Sequence, residues 1–197
     1  MIRIGLTGSI GMGKSAVTAM FRREGVPVFD ADAEVHKLQA KGGALVAAIE
    51  ARFPGSTGPE GVDRQRLGPM VLGKPQELRA LERIIHPAVF RARQRFLRRH
   101  RSRAMVVLDI PLLFEKGGAK QADLVVVVSA PLWMQRKRVL ARRGMTAQKL
   151  KAIRALQVAD HIKRAKADIV INTGCLKSDT YCAVRALIAC LKAKRVQ

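Results

Sequence analysis

Gly8-Ser9-Ile10-Gly11-Met12-Gly13-Lys14-Ser15 has the form G-x-x-x-x-G-K-S, and its reading decides the fold. Ahead of it lies Ile2-Arg3-Ile4-Gly5-Leu6-Thr7, a short apolar run rich in β-formers. Behind it, the stretch from Ala16 to Glu24 carries apolar Val17, Met20 and Phe21 at helical spacing. Strand, glycine loop and helix in that order are what a phosphate-binding loop requires. Gly8 and Gly13 permit backbone angles and close approaches that a Cβ would block. The loop's N–H groups then turn inward, and the N-terminus of the following helix favours negative charge. Lys14 can reach the β- and γ-phosphates of a nucleotide, and the Ser15 hydroxyl can ligate Mg²⁺. The competing reading is a glycine-rich turn with an incidental lysine. Average composition would produce the pattern by chance in a chain this long with a probability on the order of one per cent.

The chain's 197 residues suggest one α/β domain with inserted lobes, and an apolar content of 48% suffices for a core. The net charge of +22 points to anionic partners: nucleic acid, a membrane surface or phosphorylated small molecules. Aromatic content of 4%, with one Trp and one Tyr, argues against a surface that stacks single-stranded bases. Cys175, Cys182 and Cys190 are odd in number and form no C-x-x-C pair, so they read as small apolar residues of a reducing compartment. No signal peptide pattern and no apolar run of membrane-spanning length is present, so a soluble cytoplasmic protein is expected.

Val26-Pro27-Val28-Phe29 reads as a second strand, with Asp30-Ala31-Asp32 at its C-terminal end. That end of a strand faces the ligand crevice in open α/β sheets. Asp30 and Asp32 could orient a hydroxyl or hold a metal there, or could cap a helix over 33–41. Residues 42–104 read as mostly helical. Leu45, Ile49 and Phe53 make one apolar edge, 54–61 a plain loop, and Asp63 the cap of a short helix over 64–72. A longer helix starts near Pro75 and meets His86-Pro87, where proline should end or kink it. His86 reads as a locally satisfied helix-end residue or as a substrate contact. Seven arginines between Arg91 and Arg103 spread around several helical faces, which fits a solvated surface better than a nucleic-acid stripe.

Met105-Val106-Val107-Leu108-Asp109 reads as a buried strand closing on an acidic residue, the usual second acidic element near Mg²⁺ in phosphate-loop enzymes. After Pro111 to Glu115 comes a turn at Lys116-Gly117-Gly118, then the continuous valines of Asp123–Ser129, typical of a parallel strand covered on both faces. Arg138 and Arg142, four apart, would share a helical face suited to phosphate contact, or simply to solvent. A helix from Thr146, a fifth strand over 167–172 and a last helix from Asp179 complete the chain. Alternation of strands and helices implies a parallel sheet with right-handed crossovers. Helical segments 33–104 and 131–166 are inserted in it. A nucleotide loop, an acceptor lobe and an arginine-bearing flap describe a small-molecule kinase. Motor, signalling and transport NTPases generally need more chain.

At these residues the chain resembles the dephospho-coenzyme A kinase family over nearly its full length. The pieces are Ile4 to Ser15, Asp30-Ala31-Asp32, Ile85-His86-Pro87, Asp109-Ile110-Pro111-Leu112-Leu113-Phe114-Glu115, Gln135 with Arg138 and Arg142, Gln157, and Ala167 to Gly174. The family usually has Gly at Ser9, and Ser or Thr at Met12 and Ala16. Lys14 and Ser15 are retained. The resemblance implies a P-loop NTP hydrolase type fold with sheet order 2-3-1-4-5, a helical coenzyme A lobe over 33–104 and a lid over 131–166. It implies transfer of the ATP γ-phosphoryl to the ribose 3′-hydroxyl of dephospho-coenzyme A, the last step of coenzyme A synthesis. It casts Asp32, Lys14 and Arg138 as catalytic. Gly8, Gly11, Met12, Gly13, Lys14, Ser15, Ala16 and Arg142 would hold ATP. Asp32, His86, Pro111 and Leu112 would touch the acceptor, and Ser15 with Asp109 would hold Mg²⁺. Two rivals remain: a kinase for another acceptor, such as a nucleoside monophosphate or a sugar, and a basic nucleic-acid-binding NTPase.

Overall fold

The structure, a computed structural model, describes residues 1–115 and 117–193. Two compact units make it up: Met1–Phe29 together with the chain from His100 onward, and Asp30–Arg99. β1 (Ile2–Thr7), α1 (Lys14–Arg23) and β2 (Val28–Asp30) open the chain. Then come α2 (Ala31–Gln39), α3 (Val46–Arg52), short strands β3 (Thr57–Gly58) and β4 (Gly61–Val62), α4 (Arg64–Val71) and α5 (Pro75–Arg99). The chain continues with β5 (Met105–Asp109), β6 (Leu124–Ser129), α6 (Leu132–Leu140), α7 (Ala147–Ala155), α8 (Asp160–Ala165), β7 (Ile169–Asn172) and α9 (Lys177–Ala193).

The main sheet has the order β2-β5-β1-β6-β7. Counting only its own five strands along the chain, this is 2-3-1-4-5; the separate hairpin β3–β4 shifts the labels. β1 pairs in parallel with β5 and β6, placing Leu6 beside Asp109 and Thr7 beside Val127. β6 pairs in parallel with β7, placing Ser129 beside Asn172. Thr7, Asp109, Ser129 and Asn172 therefore line one edge, the carboxyl edge at which such sheets bind ligands.

Side chains alternate across the strands. Ile4, Leu6, Val126, Val128 and Ile171 pack against Val17 and Phe21 of α1 and Val184, Leu187 and Ile188 of α9. Val125 and Val127 face the other way, onto Leu113. Full burial of side chains this size is worth about 1.5–3 kcal/mol each. α1 is thus fixed on the sheet by Val17 and Phe21, one helical turn apart and fully buried, with Met20 in the same cluster. Lys116 of the expected turn lies outside the described residues. Its neighbours turn back, Gly117 N–H donating to Phe114 O (3.3 Å) and Gly118 N–H to Leu113 O (2.7 Å).

The Asp30–Arg99 unit has its own core of Leu38, Leu45, Ile49, Phe53, Leu67, Val71, Leu81 and Ala88. Asp63 caps α4, accepting from the N–H groups of Gln65 (2.9 Å) and Arg66 (3.2 Å). Two expectations fail here and beyond, as does one of the two alternatives at Pro87. The 54–61 stretch is a hairpin, not a plain loop. The Glu50 carboxylate accepts from Gly55 N–H (2.6 Å), Thr57 N–H (3.0 Å) and the Thr57 hydroxyl (2.7 Å) and ties the turn to α3. Those bonds, Gly55 first and the Thr57 hydroxyl next, hold its pKa below the ordinary value. Pro87 does not end its helix, since α5 runs through it to Arg99. An interior proline costs about 3 kcal/mol, but buried Leu81 and Ala88, with Ile84, Ile85 and Val89 packed beside them, more than offset that. Finally, α6 stops at Leu140, so Arg142 stands in the following turn and shares no helical face with Arg138.

The arginines of α5 behave as a solvated surface. Arg91, Arg95, Arg98 and Arg99 are exposed, and the Arg93 guanidinium sits 5.3 Å over the Phe90 ring. Cys175, Cys182 and Cys190 are free thiols, but exposed, contrary to their reading as small apolar residues. No described helix is long and apolar enough to cross a membrane.

Candidate active site

The loop leaves β1 at Gly8 and turns through Gly11 and Gly13, whose φ angles of 75° and 86° lie in the left-handed region. Only glycine adopts that conformation without strain. Gly8 needs its lack of side chain for space, since a Cβ there would stand 2.8 Å from Val128 O. Gly13 is the N-cap of α1 and offers no side-chain cap. The first-turn N–H groups of Lys14 and Ser15 therefore meet no capping oxygen from that residue, which is the arrangement that receives an anion.

Lys14 and Thr18 lie one turn apart on α1 and reach the same group. The Lys14 ammonium is paired with the Asp109 carboxylate, and the Thr18 hydroxyl donates to its other oxygen at 2.7 Å. Asp109 is only 3% exposed at its side chain, so these two bonds are what make its buried charge tolerable. Ser15 and Ala16 are exposed on the same first turn. Ser15 and Thr18, three apart, lie on the same side of the helix, Ser15 exposed and Thr18 buried.

The loop is braced from outside. Met12 is buried, its carbonyl accepting from the Thr173 hydroxyl (2.7 Å) and its Sδ from Ala130 N–H (3.2 Å). The sulfur thus fills a gap that a hydroxyl residue at this position would leave open. Arg138 donates to the Thr173 carbonyl (2.7 Å) and hydroxyl (3.1 Å), so its guanidinium is anchored beside the loop. Arg142 is exposed in the turn after α6. Pro111 accepts from the Thr7 hydroxyl at 3.0 Å, Leu112 is half-buried, and Leu113 is fully buried. Glu115 then accepts from Val158 N–H (2.9 Å) and is ion-paired with fully buried Lys163 (2.8 Å). Burial works to raise the Glu115 pKa; the Lys163 ammonium and the backbone N–H groups outweigh it and hold it below the ordinary value. Beside the loop opens a cavity of 1270 Å³, lined among others by Ser9, Trp133, Leu150, Arg154 and Asp160.

The structure thus brings together Gly8, Gly11, Met12, Gly13, Lys14, Ser15, Ala16, Asp109, Pro111, Leu112 and Arg138 in the first unit. Asp32 and His86 belong to the other unit, Asp32 in the first turn of α2 and His86 midway along α5, both exposed. Asp30, not Asp32, is the cap of α2, accepting from Ala33 N–H at 2.9 Å. Thr18 and Thr173 were not anticipated. Thr18 stands four after Lys14 on a helix, so position alone would have flagged it, whereas Thr173 is picked out only by its long-range contact with Met12.

Hydroxyl and carboxylate oxygens are the donors Mg²⁺ selects, and it commonly takes one or two protein ligands and completes its shell with water and phosphate. Ser15 and Asp109 fit that pattern. Among the described residues no three His, Cys, Asp or Glu gather as an all-protein metal cage.

A parallel sheet with this loop, the Lys14–Asp109 pair and inserted helices defines a kinase of the phosphate-loop class. Residues 2–177 match the family described as dephospho-CoA kinase. The chain belongs to that family. It is 58% identical to the dephospho-CoA kinase of Novosphingobium aromaticivorans over 97% of this chain and 95% of that one. It is 47% identical to that of Zymomonas mobilis, over 97% of each. Among solved structures, one from Thermus thermophilus superposes with TM-score 0.84 at 34% identity, over 95% of this chain and 96% of that chain. The dephospho-CoA kinase from Campylobacter jejuni shares the fold, with TM-score 0.66 at 21% identity, over 96% of each.

Proposed function

We propose that the chain transfers the γ-phosphoryl of ATP to the ribose 3′-hydroxyl of dephospho-coenzyme A, forming coenzyme A. The observation that carries this is Lys14, set on the first turn of α1 directly after two left-handed glycines and paired with buried Asp109. Phosphoryl transfer asks chiefly for positioning and charge neutralisation. The N–H groups of the loop and of Ser15 and Ala16 hold the phosphate oxygens. An arriving triphosphate competes with Asp109 for the Lys14 ammonium, which then neutralises charge developing on the transferred group. Arg138 and Arg142, on the 131–166 segment acting as lid, bring further positive charge to the phosphates. Asp32 orients the acceptor hydroxyl and receives its proton, with His86, Pro111 and Leu112 contacting the acceptor carried on the 33–104 lobe. Ser15 and Asp109 would hold Mg²⁺, which supplies Lewis-acid neutralisation of the phosphates when bound.

Net charge of +22 suits an enzyme whose substrates are both polyanions, because a positive field raises encounter rates. The test is a panel of acceptors incubated with ATP and Mg²⁺. Dephospho-coenzyme A should dominate. A strong preference for a nucleoside monophosphate or a sugar would overturn the assignment. So would ATP turnover raised many-fold by DNA or RNA and left unmoved by dephospho-coenzyme A.

A further inference from the structure

The braces on Met12 have a second, directional counterpart at the preceding residues. Gln135 of α6 donates from Nε2 to the Ile10 carbonyl at 2.7 Å. Gln157, between α7 and α8, accepts at Oε1 from the Ile10 N–H at 3.1 Å. The backbone dictates these amide orientations, since an N–H can meet only an acceptor and a carbonyl only a donor. Gln135 is 2% exposed, so its amide has no water to turn to. The same helix closes on the next residue: a Cβ on Gly11 would lie 2.5 Å from Val139 Cγ2 and 3.1 Å from Gln135 O.

We infer that Gln135 and Gln157 are positioning residues that grip residue Ile10 from both sides and set the phosphate loop in its anion-receiving shape. The inference rests on the reading of this loop as the ATP site. The two glutamines act through Ile10 on the turn at Gly11, whose geometry decides where the following N–H groups point. The two side chains come from segments flanking α7, so the 131–166 segment is fastened to the loop it would cover. The two grips are unequal in kind. Gln157 is needed as an acceptor, and a carboxylate accepts equally well. Gln135 is needed as a donor, and a carboxylate there would face a carbonyl oxygen.

Gln157→Glu and Gln135→Glu therefore add the same charge beside the same partner, Ile10, but differ in whether the bond survives. Equilibrium titration of each full-length variant with ATP–Mg²⁺ reads the difference. Gln157→Glu should weaken ATP binding a few-fold through its charge. Gln135→Glu should weaken it at least about tenfold further, because the part-buried Ile10 carbonyl loses the amide donor held against it and meets a carboxylate instead. In steady state the rise should fall on the ATP KM and not on the acceptor KM, a split that a general loss of stability would not give. Where Gln135→Glu does not fold, Gln135→Met removes the donor at similar length and should weaken ATP binding about fivefold or more. Equal losses in the two Glu variants, or a lowered melting temperature with unaltered ATP affinity of the folded protein, would overturn the inference. Wild-type protein that binds ATP but ignores dephospho-coenzyme A would sink the proposed acceptor and leave this inference standing.

Discussion

The phosphate loop and the candidate acceptor residues are held in opposite ways. Around the loop, Lys14, Met12, Asp109 and Arg138 each have a named partner, and most of those partners are buried or half-buried. On the Asp30–Arg99 unit, Asp32 and His86 are exposed side chains on otherwise regular helices, with no hydrogen bond or ion pair described for either. The nucleotide side is thus shaped by the protein's own bonds before any ligand contributes. In the proposed function, the substrate completes the geometry of Asp32 and His86. Such a division suits phosphoryl transfer, in which a preorganised electrostatic cradle does most of the stabilising and the acceptor has mainly to be aimed.

The sharpest way to break the contrast is at Lys14. Lys14→Ala should lower transfer by about a thousandfold, the scale of one lost transition-state charge contact. The variant also leaves Asp109 buried with Thr18 alone, so the comparison must use the folded fraction. A single-turnover rate within tenfold of wild type would remove Lys14 from its role. Next in size is the ion pair behind the loop. Glu115→Gln strands fully buried Lys163 and should cost about 3 kcal/mol of stability, as broken buried pairs do. Because Glu115 titrates below its ordinary value of 4.5 when folded, its contribution is present above that pH. It is lost as pH falls through the lowered value, so the gap between wild type and variant should close in acid. Denaturant melts from pH 7 downward check this, and a gap that widens instead would contradict the pairing.

Asp32→Asn tests the other region. It should cut turnover by about a hundredfold, the lower range for a lost general base, while ATP affinity stays within twofold. Turnover near normal would mean that the substrate, not this carboxylate, aligns its own hydroxyl. Smallest is Asp63→Ala, which removes two capping bonds from α4. It should destabilise by about 1 kcal/mol with no change in the ATP KM. An altered ATP KM would mean that this cap serves more than the stability of α4.

Much of the nucleotide side was legible because its determinants are local in sequence. Eight consecutive residues carry the loop, and a strand before it and a helix after it follow from periodicity alone. Asp109 was legible because an apolar strand that closes on a carboxylate has few other uses. What escaped was held by contacts between distant residues. Thr173 meets Met12 across 161 positions, and Gln157 meets Ile10 across 147. No spacing rule spans such distances. Arg142 was misplaced because a helix was extended two residues too far, a boundary set by turn geometry that periodicity does not sense. Of the two outcomes expected at Pro87, an ended or a kinked helix, the ending fails because the packing of α5 carries the helix through. Asp32 and His86 were reached through family resemblance, since on exposed helical faces nothing in their neighbourhoods distinguishes them from ordinary surface residues.

Trp133, the chain's one tryptophan, stands 63% exposed on the wall of the cavity beside the loop. Excitation at the red edge of the absorption band therefore isolates a single fluorophore at the flank of the nucleotide site, with no background from other indoles. Any molecule that settles against that wall strips water from the ring and shifts its emission to the blue. The protein carries its own optical gauge of occupancy, and nothing need be attached to read it.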